Sequence, residues 1–115
     1  MNFNPRLAAK VLDGTKTVTR RRLSDNPRSP WWREECRYMV GRDYAVCPGR
    51  GESAIGRIKI LDVRKQRLGA ALQGTEPYLE GFQLATGFKR VWKEMHGSFD
   101  HEELVWRVRF EVFDG

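Results

Sequence analysis

Several features are scarce in this sequence, and each scarcity narrows the reading. No uninterrupted apolar run approaches the roughly 18 residues needed to span a bilayer, and the first residues lack the apolar core of a secretory signal. A cytoplasmic protein without membrane contact is therefore expected. Only two cysteines occur, Cys36 and Cys47, too few for a disulfide framework and expected to be reduced. Together with the two histidines, His96 and His101, they match no zinc-ligand spacing, so no metal or other cofactor is expected. There is no internal repeat and no low-complexity tract. The length of 115 residues suffices for one core, so residues 1–115 are expected to form a single domain.

Acidic charge is also short. Against 15 Asp and Glu stand 21 Lys and Arg, giving a net charge of +6. Arginine dominates the cations, and guanidinium binds phosphate bidentately and stacks on bases where ammonium is a hydrated point charge. RNA, or a nucleoside or nucleotide, is the partner class this balance favours.

The densest basic stretch is Lys16-Thr17-Val18-Thr19-Arg20-Arg21-Arg22, just after Gly14. Asn4 as N-cap, Pro5 at the first turn and Gly14 past the end punctuate a helix whose Leu7, Ala8, Val11 and Leu12 share one face. That helix delivers Lys16 directly beyond its end. The β-branched Thr17, Val18 and Thr19 favour a strand over Thr17–Leu23, read either as a solvated edge strand with protective charge or as an anion site. Alternation places Arg21 on one face, suited to a fixed phosphate or carbonyl contact. Arg20 and Arg22 fall on the other, suited to a nucleic-acid backbone.

Residues 24–42, rich in Pro, Asn, Ser and charge, read as a long inserted excursion, with Trp31-Trp32 as its expected anchor on the core. A short strand at Asp43–Cys47 ends in the Pro48–Gly51 turn, and Ala54–Arg64 alternates as a second, with Gly56 expected to mark a bend or bulge. Thr75–Gly81 reads as one or two helical turns. Thr86 is expected to cap a helix whose Phe88, Val91, Trp92 and Met95 form a core stripe, stopped by Gly97. Leu104–Phe113 reads as a central strand with Leu104, Trp106, Val108, Phe110 and Val112 inward and Arg107, Arg109 and Glu111 outward. The order α-β-β-β-α-α-β predicts an α+β fold with a mixed or antiparallel, barrel-like sheet.

Four blocks then fall in register: Gly14-Thr15-Lys16-Thr17-Val18-Thr19-Arg20-Arg21, Gly41–Val46, Glu80-Gly81-Phe82 and Val105–Phe110. In this order they resemble the ASCH domain over nearly the whole chain. The resemblance implies a PUA-like β-barrel with flanking helices and a cleft for RNA or a modified nucleoside. Some small members are amidohydrolases that deacetylate acetylcytidine with a lysine, a threonine and a glutamate, which map to Lys16, Thr19 and Glu80. Others bind RNA, and at least one is a ribonuclease. The chain departs from the compact amidohydrolases in its Trp-containing excursion and in Arg20, where they tend to be apolar. Both changes point to a larger, more anionic ligand.

Chemically, Thr19 offers a nucleophilic hydroxyl, Lys16 a base if burial lowers its pKa, and Glu80 a proton relay. On a regular strand Lys16 and Thr19 point to opposite faces, so this arrangement requires Lys16 to sit in the turn after the first helix or a bulge to intervene. Thr17, Arg20, Arg21 and Arg22 are the nearest ligand contacts, with Arg50 and Arg57 as further candidates and Tyr44 as a stacking surface.

Overall fold

Two long antiparallel strands carry the sheet. In the computed structural model, which describes residues 1–114, β5 (Gly56–Arg67) lies against β6 (Leu104–Val112). The two outer strands are β1 (Val18–Arg22), paired with β6, and β4 (Asp43–Val46), paired with β5, giving the order β1-β6-β5-β4. Helix α1 (Pro5–Leu12) precedes β1; a 3-10 helix (Leu68–Leu72), α2 (Glu76–Leu79) and α3 (Ala85–His96) lie between β5 and β6. No helix among the described residues is long and apolar enough to cross a membrane.

The expected antiparallel α+β sheet with flanking helices is present, but no closed barrel forms among the described residues. Closure needs β1 to pair with β4, and these are the two free edges. The gap is spanned instead by the N-terminal segment. Phe3 N donates to Cys47 O at 3.0 Å beside β4, while an Arg21 Nη reaches across from β1 to Asn2 O at 2.8 Å.

The inserted excursion also differs from a structureless loop. It holds a two-stranded ladder of β2 (Trp31–Trp32) and β3 (Glu35–Cys36), so five strands precede α2 where three were expected. The indole Nε1 of Trp106 donates to Trp31 O at 3.1 Å and Trp32 O at 3.2 Å, and Trp31 packs partly buried against the core cluster that holds Phe3 and Phe110. The tryptophan pair anchors.

The register shift of β5 lies between Ile60 and Asp62, not at Gly56. Gly56 has a different reason: a Cβ there would stand 2.5 Å from Leu12 Cδ2, so the helix packs directly onto bare backbone. Two cores result, one on each face of β6. Val108 and Phe110 join Phe3, Ala8, Val11, Val46, Ile58 and Ile60; Val105, on the other face, joins Leu68, Ala71, Phe88 and Trp92.

This two-sided burial corrects the reading of β6 as amphipathic. Arg107, expected outward, is 5% exposed, and Leu104, expected inward, is 48% exposed. The 3-10 helix, α2 and α3 cover the face that simple alternation left to solvent. Thr86 lies inside α3, whose N-cap is Leu84.

Candidate functional site

Lys16 occupies the turn between α1 and β1, one of the two placements named above. Gly14 takes φ +83°, Thr15 N donates to Asp13 Oδ1 at 2.8 Å, and Lys16 N folds back to Lys10 O at 3.0 Å. The side chain is then driven into the protein, 2% exposed. Its Nζ donates to Val18 O at 2.7 Å, to Glu80 O at 3.0 Å and to Glu80 Oε1 at 2.7 Å, which engages all three ammonium protons. Burial pushes the Lys16 pKa down, against the pull of the Glu80 carboxylate.

Glu80 closes α2 and is as deeply buried as Lys16. The glycine after it makes this approach possible. Gly81 has φ +92°, and a Cβ there would stand 3.3 Å from both Lys10 Cδ and Lys16 Cβ. The second oxygen of Glu80 accepts from Arg20 Nη1 at 3.0 Å. Arg20 Nη2 goes on to Glu76 Oε1 at 2.5 Å and to Gln66 Oε1 at 2.6 Å. Arg107, opposite Arg20 in the β1–β6 register, donates from Nε to Glu76 Oε1 at 2.8 Å. Burial works against the charge on Glu76, but hydrogen bonds from Arg107 and Arg20 outweigh it and hold the carboxyl below its usual range. The chain of paired charges therefore runs Lys16–Glu80–Arg20–Glu76–Arg107, buried except at the partly exposed Glu76.

Lys16, Thr19 and Glu80 line one cavity of about 430 Å³, together with Arg20, Arg21, Arg22 and Arg50. Because β1 is a sheet edge, residues from both of its faces reach this hollow. The opposite wall is apolar, built from Phe82, Phe88, Val91, Trp92 and Met95. The helix stripe read from sequence as core is partly that, through Phe88 and Trp92, and partly cavity wall.

The other candidates fall elsewhere. Thr17 spends its backbone on Leu79 O and Phe110 N and lies outside the cavity lining. Tyr44 supports the excursion, its hydroxyl accepting from Met39 N at 2.8 Å and its ring edge-on to Tyr38. Arg57 pairs with Asp43 at 2.6 Å on the β4 side of the sheet. Arg20, expected to reach a nucleic-acid backbone, is 4% exposed and committed to carboxylates, because α2 covers its face of β1. Arg22 is exposed and pairs with Glu103 at 2.8 Å. Among the described residues no group of three His, Cys, Asp or Glu is placed to hold a metal ion.

Sequence reasoning missed Glu76, Gln66 and Arg107. Their partnership depends on the register that sets Arg20 opposite Arg107, which no local motif encodes.

No protein-family model and no curated protein matches the chain. Solved structures do. An ASCH domain from Lactobacillus crispatus superposes with a TM-score of 0.60 at 20% identity, covering 93% of this chain and 70% of that one. The chain has the ASCH-domain fold. A mutant form of an ASCH protein from Zymomonas mobilis agrees, with a TM-score of 0.61 at 16% identity over 99% of this chain and 69% of that one. A DUF984 protein from Enterococcus faecalis V583 superposes with a TM-score of 0.68 at 22% identity over 94% and 67% of the respective chains. At these identities the likeness is one of ASCH fold.

Proposed function

We propose that this ASCH fold recognises a nucleoside or nucleotide, free or within RNA, with the base in the cavity beside β1. The observation that carries this reading is the shared hollow. Residues from the basic stretch and from Glu80, distant in sequence, line a space of about 430 Å³ facing an aromatic wall. Such a wall supplies stacking, and the convergent polar groups supply orientation. Calorimetric titration with a panel of ribonucleosides, modified nucleosides and short single-stranded RNA tests it. Saturable binding is expected, weakened by Glu80→Gln across the panel and by Arg21→Ala for the phosphate-bearing RNA; no binding across the panel overturns the reading.

A second reading, deacylation of a modified nucleoside such as acetylcytidine, draws on two observations. Burial lowers the Lys16 pKa, and Thr19 lines the same cavity. A neutral Lys16 amine would take the Thr19 proton as the hydroxyl oxygen attacks the acyl carbon. The acyl carbon–nitrogen bond would then break with that proton passing to the departing cytosine amine, and water would hydrolyse the acyl-threonine ester to release acetate. With all three Lys16 protons engaged, the resting arrangement favours binding over this chemistry. Release of acetate, abolished by Lys16→Ala and by Glu80→Ala, would establish deacylation; acetylcytidine bound but unchanged would exclude it.

A further inference from the structure

The charges around the cavity do not balance, and the imbalance is local. Lys16, Arg20, Arg21, Arg22 and Arg50 line it against the single carboxylate of Glu80. Three of these cations have carboxylate partners: Lys16 and Arg20 on Glu80, Arg20 also on Glu76, and Arg22 on Glu103. Arg21 has none among the described residues. Its guanidinium is held 5.0 Å from the Phe3 ring centre and 5.6 Å from that of Trp31, and its one hydrogen bond is to the neutral carbonyl of Asn2. Its Nε is enclosed without any partner. A cation fixed between two rings and denied a counter-charge is costly, and an anion in the adjoining hollow would relieve that cost.

Arg50 lies on the same cavity from the Gly49–Gly51 turn, exposed, with no ion pair among the described residues. Asn4, the N-cap of α1, lines it too, so the positive end of an eight-residue helix adds to the field. We infer that the occupant is phosphorylated, a single nucleotide whose phosphate lies at Arg21 with Arg50 at the rim. This deepens the reading above by naming the charge of the ligand, and it rests on that reading.

The test compares each ribonucleoside with its monophosphate, by calorimetry at low and at moderate salt. The monophosphate is expected to bind at least about tenfold tighter, the equivalent of one charge-assisted hydrogen bond, with the margin shrinking as salt rises. Arg21→Met, which keeps an apolar stem between Phe3 and Trp31, should erase the margin while nucleoside affinity persists. Arg50→Ala, on an exposed turn, should narrow it without touching the fold. Equal affinities for nucleoside and monophosphate, or a margin that survives Arg21→Met in folded protein, overturn the phosphate inference and leave the base-binding reading standing. Binding of neither overturns the phosphate inference, and if the single-stranded RNA also fails to bind, the base-binding reading falls with it.

Discussion

Lys16 Nζ and Glu80 Oε1 meet at 2.7 Å although 64 residues separate them in sequence. Both side chains are almost wholly excluded from solvent, with relative exposures of 2% and 3%. An ion pair this deep is weak support for stability, since desolvation offsets its attraction. Its value is in fixing where the turn after α1 stands relative to the end of α2.

Breaking that pair on one side should be expensive. Glu80→Gln leaves Lys16 and Arg20 without their shared counter-charge, and a loss of about 3–5 kcal/mol in urea denaturation is expected. Lys16→Met should also destabilise, and the double variant should lose less than the two single losses added together. Strict additivity would mean that the pair is not coupled.

Acid should act through Glu76. Its carboxyl lies below the ordinary 4.5, so the folded state binds fewer protons there than the unfolded state. The stability it contributes is therefore complete above about that pH and is lost as pH falls through the folded value. Denaturation of wild type and Glu76→Gln from neutral to acid pH should show a difference that narrows steadily below 4.5. A constant difference would contradict the assignment.

Two glycines separate backbone strain from crowding. Gly81 and Gly97 have similar angles, φ +92° and +86°, but only Gly81 has neighbours within 4 Å of a notional Cβ. Gly97→Ala should cost about 1–2 kcal/mol and leave ligand affinity unchanged. Gly81→Ala should cost more and weaken binding as well, because Lys16 must shift. The comparison is read by thermal denaturation together with titration.

The excursion should depend on Trp31 more than on Trp32. Trp31 packs on the core, stands 4.8 Å from Tyr38 and flanks Arg21. Trp31→Ala should cost about 2 kcal/mol and expose residues 24–42 to protease, whereas Trp32→Ala should change cleavage little.

Local signals are legible in the sequence where the causes are local. Asn4, Pro5 and Gly14 mark α1, and the four-block resemblance groups Lys16, Thr19 and Glu80. Non-local causes are hidden. Arg107 reads as a solvent residue by alternation, and only the packing of α2 and the 3-10 helix over that face of β6 reveals it as buried. The open sheet is hidden too, because the N-terminal bridge from Asn2 to Cys47 leaves no pattern in the chain.

The most direct test of the cavity as a binding site reads the four tryptophan indole N–H signals by NMR during nucleotide titration. Trp92 lines the cavity and its Nε1 is buried without a partner, whereas Trp106 Nε1 is already committed to Trp31 and Trp32 carbonyls. The account predicts a saturable shift of the Trp92 indole signal with the Trp106 signal nearly still. A Trp92 signal that stays fixed while nucleotide binds would place the ligand elsewhere and contradict the account.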